Sequence, residues 1–347
     1  MIVLSEKMKA VGLYKYLPIE DPESLLDVEI DKPSPGEKDL LVKVKAVSVN
    51  PVDTKVRSPK DAEEKQPKIL GWDVSGIVEK TGSDVSMFKA GDKVYYAGSI
   101  ARPGGNSEFH LVDESIAALK PKTFSFEEAA AMPLTSLTAW EGLFERLGIG
   151  MSKDENKGRT ILIIGAAGGV GSIALQLASW AGLTVIGTAS RSETEDWSKE
   201  HGAEYTISHY EDFLPQLKKL GLSEVDYIFC LNSTDQHWER MMEAITPQGK
   251  ICSIVETKTP LNISLMQQKS VTFIMEFMFT RSLFGTEDMK KQHEILTEMA
   301  KMFDEGILKT TLTEILQPID AKTMRDAHSK VESGKTIGKV VVSRKEE

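Results

Sequence analysis

Small residues dominate the stretch GAAGGVGS at 165–172, and their spacing is suited to holding a phosphate. Ala166, Gly168 and Gly171 fit the pattern G-x-G-x-x-G with alanine in the first place. In that pattern Gly168 lets the backbone approach a pyrophosphate, and Gly171 lets a helix pack closely on the preceding strand. The N-terminus of a helix favours an anion. The sequence therefore predicts a dinucleotide-binding loop formed by Ala166, Gly168, Gly169, Val170 and Gly171.

The residues that end the next predicted strand, GTASRSET, indicate which dinucleotide would bind. A site for NAD carries Asp or Glu about 20 residues beyond the loop, where it bonds the ribose 2′-hydroxyl. Here Ala189 or Ser190 occupies that place, and Arg191 follows. A carboxylate would repel a 2′-phosphate, whereas serine and arginine would bind it. We therefore expect NADPH, held by Ser190 and Arg191; the alternative for Arg191 is a solvated residue in the first turn of a helix.

The elements that position this loop alternate between continuous apolar runs and helical segments, one of which starts near Gly169. Continuous apolar strands separated by helices predict a parallel sheet covered on both faces. Six strands are the number of a doubly wound sheet, so the fold class is predicted to be α/β. The predicted strands are 160–165, 184–189, 204–208, 225–231, 249–255 and 270–276.

The chain on either side of this region is richer in β-structure. Residues 8 to about 120 contain short strands separated by turn signals, which are typical of a barrel or sandwich. The polar stretch 57–68, bounded by prolines, is predicted to be a surface loop. The segment 311–347 returns to strand, helix and strand. Because it cannot simply extend a completed six-stranded sheet, we expect it to fold back on the N-terminal β-rich domain.

The composition excludes several classes of protein. The 347 residues carry a formal net charge of −10, so the chain lacks the basic character of a nucleic-acid-binding protein. The two cysteines, Cys230 and Cys252, have no metal-binding spacing and are expected to be buried small residues on strands of a protein from a reducing compartment. No stretch approaches 18 apolar residues, and the N-terminus lacks the pattern of a signal peptide. We predict a cytoplasmic protein that does not enter a membrane.

Five stretches together resemble the medium-chain dehydrogenase/reductase superfamily, in particular its quinone-oxidoreductase-like branch. They are VKVKAVSVNPVDTKVR (42–57), GWDVSGIVEKTGSDVSMFKAGDKV (71–94), EEAAAMPLTSLTAWEGL (127–143), ILIIGAAGGVGSIALQLA (161–178) and GKTIGKVVV (334–342). The resemblance implies a GroES-like catalytic domain formed by 1–131 and 311–347. It also implies a Rossmann cofactor-binding domain at 132–310 and an active site in the cleft between the two domains.

The resemblance also allows a comparison with the zinc alcohol dehydrogenases of this superfamily. Their first cysteine ligand falls in the stretch that reads SVNPVD here, with Asn50 and Pro51. Their histidine belongs to a Gly-His-Glu triplet, which here is Gly71-Trp72-Asp73, and PLTSLTA has no third ligand. A catalytic zinc needs about three protein ligands. Only Asp73 remains as a donor, with Asp53 nearby in sequence, so we expect no metal.

The resemblance implies roles for five further residues. The amide of Asn50 would bond the nicotinamide ribose or the substrate oxygen. Asp53 would be a turn residue if exposed, or a proton donor if burial raised its pKa. Thr138 matches a residue on the nicotinamide side, with capping within its helix as the alternative. Lys339 matches a late basic residue near the cofactor. His209 stands where relatives carry an adenosine-binding tyrosine; a surface histidine is the alternative.

The predicted function is hydride transfer from NADPH to a quinone or an α,β-unsaturated carbonyl without zinc, since these acceptors do not need a Lewis acid. The tyrosine that relatives carry beyond Asp53 is absent; Thr54 and Arg57 stand there, and water is an alternative proton donor. The alternative functions are a zinc-type alcohol dehydrogenase and an NADPH-binding protein without turnover. The run 275–280 fits an edge strand of a homodimer or, equally, a buried core strand.

Overall fold

A computed structural model describes residues 6–345. The strands are β1 (Lys7–Tyr16), β2 (Leu26–Asp31), β3 (Asp39–Ser48), β4 (Lys60–Ile69), β5 (Asp73–Thr81), β6 (Lys93–Tyr96), β7 (Phe109–Asp113), β8 (Ala117–Leu119), β9 (Thr160–Ile164), β10 (Thr184–Thr188), β11 (Tyr205–Ile207), β12 (Val225–Cys230), β13 (Ile245–Ser253), β14 (Thr272–Met275), β15 (Leu312–Leu316) and β16 (Lys339–Ser343).

The helices are α1 (Pro51–Arg57), α2 (Phe126–Ala130), α3 (Pro133–Trp140), α4 (Gly169–Trp180), α5 (Ser192–Glu200), α6 (Phe213–Lys219), α7 (Thr234–Ala244), α8 (Ser264–Gln267), α9 (Thr280–Phe284), α10 (Lys291–Asp304) and α11 (Ala321–Glu332). A 3₁₀-helix covers Glu114–Ile116, and a π-helix covers Glu141–Arg146. Within residues 6–345, no helix is both long enough and apolar enough to cross a membrane.

The chain divides into two compact units. One, the parallel-sheet unit, consists of Thr135–Met278 and Ile307–Lys309. Its six strands lie in the order β11-β10-β9-β12-β13-β14, and every neighbouring pair is parallel. This is the predicted doubly wound sheet, with all six strands at the predicted places. Its central strand β9 is buried at all five positions, as expected for a parallel strand that is covered on both faces.

The other unit, the β-rich unit, contains the described residues up to Leu134, together with Phe279–Gly306 and the chain from Thr310 onward. A three-stranded sheet has the order β2-β1-β4, and a seven-stranded sheet has the order β15-β16-β3-β5-β6-β8 with β7 paired to β3. The C-terminal segment folds back as predicted, since β16 pairs antiparallel with β3. The α/β class with a GroES-like β-rich domain is thereby confirmed.

The prediction of a surface loop at 57–68 is wrong for most of that stretch. Lys60–Ile69 forms β4, which pairs antiparallel with β1 at the edge of the three-stranded sheet. Six of its ten side chains are charged and six are exposed, so the alternation that reveals a half-buried strand is absent. Charged side chains on an edge strand prevent pairing with another chain. The polarity that suggested a loop is therefore also the polarity of an exposed edge strand.

Helix α10 belongs to the β-rich unit, although the sequence placed its segment among the elements of the parallel sheet. The hydroxyl of Tyr95 in β6 donates a hydrogen bond to the Leu296 carbonyl at 2.6 Å. Thr123 is bonded to Asp304 at the end of the helix through both its N–H and its hydroxyl. An amphipathic pattern shows which face of a helix is covered but not by which sheet. The parallel-sheet unit is correspondingly shorter than the proposed domain 132–310.

Strand β14 lies at the end of the parallel sheet, where one of its edges has no neighbouring strand within residues 6–345. Met275 is 48% exposed and Phe277 46% exposed, whereas Met278 is buried. The interpretation of 275–280 as a buried core strand is therefore wrong for Met275 and Phe277. Cys230 and Cys252 are buried free thiols on β12 and β13, as predicted.

Candidate active site

Asn50 and Asp53 are held together at the start of helix α1. Asn50 follows β3 in an extended conformation and precedes the helix, whose first residue is Pro51. Proline suits this position because its fixed φ matches the helix and its missing N–H would have no partner there. The carboxylate of Asp53 reaches back and accepts a hydrogen bond from the Asn50 N–H at 2.7 Å. The helix start therefore fixes the backbone from which the Asn50 side chain projects.

Asp53 is buried, so burial raises its pKa, as the sequence analysis considered. Its second carboxylate oxygen accepts a hydrogen bond from the Gly71 N–H at 3.1 Å. Burial raises the pKa of Asp53 to about 7, although the two N–H donors and the nearby Lys339 ammonium oppose the shift. One oxygen thus closes the start of α1, and the other connects α1 to the turn before β5. The geometry gives Asp53 a structural task, and its role as proton donor stays a prediction.

Three buried side chains from distant parts of the chain form a closed hydrogen-bonded group, which we call the Asn-Asp-Lys ring. Lys339 Nζ donates to Asn50 Oδ1 and lies 3.1 Å from Asp73 Oδ2. Asn50 Nδ2 donates to the same Asp73 oxygen at 3.0 Å. The three residues are between 0 and 3% exposed. Each side chain of the ring therefore holds the other two in place.

The strands and helices around the ring fix it from outside. Asp73 begins β5, Lys339 begins β16, and both strands flank β3, whose end leads to Asn50. The other oxygen of Asp73 accepts a hydrogen bond from the Leu134 N–H at 3.0 Å, in the first turn of α3. Burial raises the pKa of the Asp73 carboxyl, while the Lys339 ammonium and the Asn50 amide oppose that shift. The ion pair thus provides each buried charge with a partner, as a low-dielectric site requires.

The glycine loop lies between β9 and α4, in the context that the sequence predicted. Gly165 has a φ of +85°, a conformation that favours glycine. A Cβ on Gly171 would lie 2.4 Å from the carbonyl oxygens of both Gly165 and Ala166, so the helix can approach the turn only with glycine there. A Cβ on Gly168 would meet only the Gly165 oxygen, at 3.4 Å. The protein itself therefore has no steric need for glycine at 168.

Helix α4 begins with features that suit an anion. Its N-cap residue is Gly168, no side chain caps it, and its first turn has no acidic residue. The first N–H groups of a helix have no acceptor within the helix, and the helix dipole is positive at this end. The loop with Gly168, Gly169, Val170 and Gly171 therefore fits the pyrophosphate of a dinucleotide.

The end of β10 carries the residues expected to distinguish the two cofactors. Ser190 and Arg191 are exposed and lie before α5. Their backbone N–H groups donate to Thr194 Oγ1 at 3.3 and 3.1 Å, which fixes this turn. Ala189 is buried and its N–H donates to Ile207 of β11. The turn thus presents a hydroxyl and a guanidinium to solvent and no carboxylate from 189 to 191.

Thr138 and His209 lie on different elements of the parallel-sheet unit. Thr138 is buried in α3, and His209 follows β11 with its ring 4.3 Å from that of Tyr210. Partial burial lowers the pKa of His209. Their assignments to the cofactor stay predictions, as do those of Ser190 and Arg191.

Comparisons with known proteins agree with both units. A family model described as alcohol dehydrogenase GroES-like domain matches residues 36–130, and one described as zinc-binding dehydrogenase matches 201–342. A zinc-type alcohol dehydrogenase-like protein of Staphylococcus epidermidis is 42% identical over 339 residues, which cover 97% of this chain and 100% of the relative. Quinone oxidoreductase 1 of Escherichia coli K12 is 31% identical and covers 91% of this chain and 94% of its own length. The chain belongs to the medium-chain dehydrogenase/reductase superfamily.

A further relative and two solved structures extend this result. The 2-methylene-furan-3-one reductase of Solanum lycopersicum is 31% identical, covering 91% of this chain and 74% of its own. A Rhizobium etli CFN 42 protein named after zinc-dependent alcohol dehydrogenases is 47% identical with a TM-score of 0.94, covering 99% of this chain and 100% of that chain. Escherichia coli quinone oxidoreductase in complex with NADPH is 27% identical with a TM-score of 0.79, covering 96% of this chain and 99% of that chain. The chain is an oxidoreductase of the quinone-oxidoreductase-like branch, with an NAD(P)-binding Rossmann fold.

The residues of this superfamily member do not fit the zinc ion after which several relatives are named. Trp72 stands where a Gly-His-Glu triplet has histidine, and its indole N–H donates to the Arg102 carbonyl at 3.2 Å. An indole offers no lone pair to a metal. Asp73, the remaining donor, is paired with the Lys339 ammonium. Across residues 6–345 no three His, Cys, Asp or Glu side chains are grouped to hold a metal ion.

The structure brings together residues that sequence reasoning treated separately. Asn50, Asp53 and Lys339 were expected near the active site from the resemblance, and they belong to one buried network. Asp73 was considered only as a leftover metal donor, and its role as the partner of Lys339 was missed. The available signal was an acidic residue in the Gly-Trp-Asp triplet combined with a lysine beginning a buried strand. Pairing across 266 positions of sequence leaves no local pattern.

Proposed function

We propose that this protein is an NADPH-dependent oxidoreductase that reduces a quinone or an α,β-unsaturated carbonyl without a metal ion. The observation that carries the proposal is the Asn-Asp-Lys ring. Zinc-dependent members of the superfamily have metal ligands in the stretches that here carry Asn50 and Trp72-Asp73, and in this protein a lysine ammonium is bonded to Asn50 and Asp73. A site in which the Lys339 ammonium is bonded in this way suits acceptors that can be reduced without a Lewis acid.

The proposed acceptors match the chemistry of the ring. When bound, the reduced nicotinamide supplies a hydride. A quinone or enone that accepts it spreads the negative charge onto an oxygen, which hydrogen-bond donors can stabilise. The ring offers the ammonium of Lys339, which the buried Asn50 and Asp73 side chains fix in place. The names of the Escherichia coli and Solanum lycopersicum relatives, a quinone oxidoreductase and an enone-type reductase, are consistent with these acceptors.

The choice of NADPH rests on the turn after β10. Ser190 and Arg191 are exposed there, and no acidic side chain lies between 189 and 191 to bond a ribose 2′-hydroxyl. A guanidinium is well suited to a phosphate because it can donate two parallel hydrogen bonds. The solved Escherichia coli quinone oxidoreductase, whose complex contains NADPH, is consistent with this preference.

Two measurements on the purified protein test the function. Elemental analysis should find less than about one tenth of a zinc ion per chain after dialysis, in keeping with the missing donors. Oxidation of NADPH should be followed with 1,4-benzoquinone, a naphthoquinone, and open-chain enones, with NADH as the parallel cofactor. Stoichiometric zinc with alcohol oxidation would replace the proposal by a zinc alcohol dehydrogenase. Tight NADPH binding without turnover on any acceptor would indicate a binding protein.

We also propose a homodimer that is joined through the edge of β14, in a cytoplasmic protein. Support for the dimer comes from the exposed edge strand and from the apolar Met275 and Phe277 beside it. Sedimentation velocity should show a dimer that Met275→Lys converts to monomer. Tyr210→Lys is the matched control, because Tyr210 is 73% exposed and follows β11 at the opposite end of the six-stranded sheet, so its replacement should leave the dimer intact.

A further inference from the structure

Lys339 has one more N–H group than the ring uses. A lysine ammonium has three donors, and two of them are directed at Asn50 Oδ1 and Asp73 Oδ2. Among residues 6–345 the structure gives the third donor no acceptor. The side chain of Lys339 is 4% exposed to solvent, whereas that of Asp73 is fully buried. The exposed surface of this ion pair therefore belongs to the lysine side chain, and the carboxylate contributes none.

The partners of Lys339 are themselves fixed. Asp73 is held by the Leu134 N–H at 3.0 Å and by the Asn50 amide, so its carboxylate cannot turn away. The backbone of Asn50 is held by Asp53. An ammonium that is oriented by buried acceptors needs no rearrangement when negative charge develops next to it. Such preorganised donors in a water-poor site contribute more to a reaction than the same groups in water.

We propose that the third N–H of Lys339 donates a hydrogen bond to the carbonyl oxygen of the quinone or enone during reduction. It stabilises the negative charge on that oxygen, as a zinc ion does in zinc-dependent relatives. This inference rests on the proposed function and names the group that stabilises its developing charge. It differs from the cofactor contact that the resemblance implies for Lys339. Asp73 and Asn50 are positioning residues, because they act on the substrate only through the ammonium they orient.

The reaction balances without any additional reagent. In an enone, the β-carbon accepts the hydride, the C=C electron pair moves to form the C=C bond of an enolate, and the carbonyl electron pair moves onto oxygen. Lys339 hydrogen-bonds to that oxygen and keeps its proton. The α-carbon then takes a proton from water. In a quinone the hydride adds two electrons, the hydroquinone anion carries the charge on oxygen, and water again supplies the proton.

The test uses Lys339→Met, with Lys339→Arg as the conservative variant and Lys322→Met as a control that removes one exposed charge. We expect Lys339→Met to lower kcat with an enone by about 100-fold, the effect of removing one such donor. The loss should be smaller with 1,4-benzoquinone, whose product anion is more stable on its own. The Kd for NADPH, measured by quenching of tryptophan fluorescence, should change less than about threefold, and Lys339→Arg should recover part of kcat.

A double variant separates catalysis from folding. Lys339→Met leaves the Asp73 charge buried without a partner, which destabilises a protein. Lys339→Met combined with Asp73→Asn removes both charges, so the double variant should unfold at a higher temperature than Lys339→Met and still lack the enone activity. A double variant with wild-type kcat would overturn the proposal.

Each other outcome has a defined meaning. A Kd for NADPH raised tenfold or more at unchanged kcat would make Lys339 a cofactor contact and overturn the proposal. An equal loss of kcat on enones and on benzoquinone would also overturn it, since charge stabilisation predicts unequal losses. A wild-type protein that reduces neither acceptor class overturns the proposed function itself, which is a different result from an active wild type with an equally active Lys339→Met variant.

Discussion

Arg146 Nε lies 2.6 Å from a carboxylate oxygen of Glu276, whose side chain is fully buried. The π-helix Glu141–Arg146 contributes two members of this group, because residues five apart lie on the same side of such a helix. Glu141 shares a hydrogen bond with the Glu276 carboxyl. Burial raises the pKa of Glu276, while Glu141 and Arg146 oppose that shift. The parallel-sheet unit therefore contains a buried carboxyl that depends on one arginine.

Replacing Arg146 with methionine should destabilise the parallel-sheet unit by about 3 kcal/mol at pH 8, since it leaves a buried charge without a partner. The loss should be smaller at pH 5.5, where Glu276, with its raised pKa, takes up a proton more readily. Urea unfolding at the two pH values measures the difference. Arg159→Met is the matched control: Arg159 pairs with Asp226 but is 55% exposed, so it should cost less than about 1 kcal/mol at both pH values.

The raised pKa of Asp53 should make the folded protein less stable as the pH rises. Its pKa is about 7 in the folded protein against 3.8 for the unperturbed group, so the folded state holds the proton more tightly. The stabilising contribution is complete below pH 4 and is lost as the pH rises to about 7, at about 1.4 kcal/mol per unit. Asp53→Asn should remove this slope from the unfolding free energy. The hydrogen bonds that the variant loses offset its unfolding free energy from wild type at every pH and leave the slope as the readout. An unchanged slope between pH 4 and 7 would contradict the assignment.

The parallel sheet was predictable because its strands are short, mainly apolar runs that alternate with helices, most clearly β9 with its five buried positions. Strand β4 could not be predicted as a strand, because a charged edge strand has the composition of a loop. Helix α10 was recognised as a helix, but its assignment to the β-rich unit depends on contacts such as Tyr95 with Leu296, which lie 201 positions apart. Local patterns therefore specify elements better than they specify what each element covers.

The candidate site divides in the same way. The glycine loop could be predicted because a turn, a helix start and a close approach impose residue types at fixed spacing over seven positions. Asn50 and Lys339 could be singled out only by resemblance. Their bond joins positions 289 apart, and Asp73 is the third member of the ring. Long-range pairs of this kind become visible only when strands β3, β5 and β16 lie side by side.

Arg191→Ala should weaken NADPH binding by about 10- to 100-fold and change NADH binding less than about twofold, because only a phosphate partner is lost. Isothermal titration with both cofactors measures the two values. Lys199→Ala removes one positive charge from the exposed side of the same helix, α5, and should affect neither. Equal losses for NADPH and NADH in Arg191→Ala would show that the arginine supports the fold of the turn, not the 2′-phosphate.

Gly171→Ala should destabilise the fold, whereas Gly168→Ala should weaken NADPH binding and leave the stability unchanged. A Cβ at 171 would lie 2.4 Å from two backbone oxygens, so Gly171→Ala should lower the unfolding temperature by several degrees. A Cβ at 168 makes only an ordinary contact at 3.4 Å, and the residue has a φ of −74°, which any residue adopts. Gly168→Ala should therefore unfold within about 1 °C of wild type. Its NADPH binding should nevertheless weaken by tenfold or more, because the added methyl group occupies the space left for the pyrophosphate. Thermal unfolding with and without NADPH measures both effects; a stable Gly168→Ala variant that binds NADPH like wild type would show that the loop does not hold the cofactor.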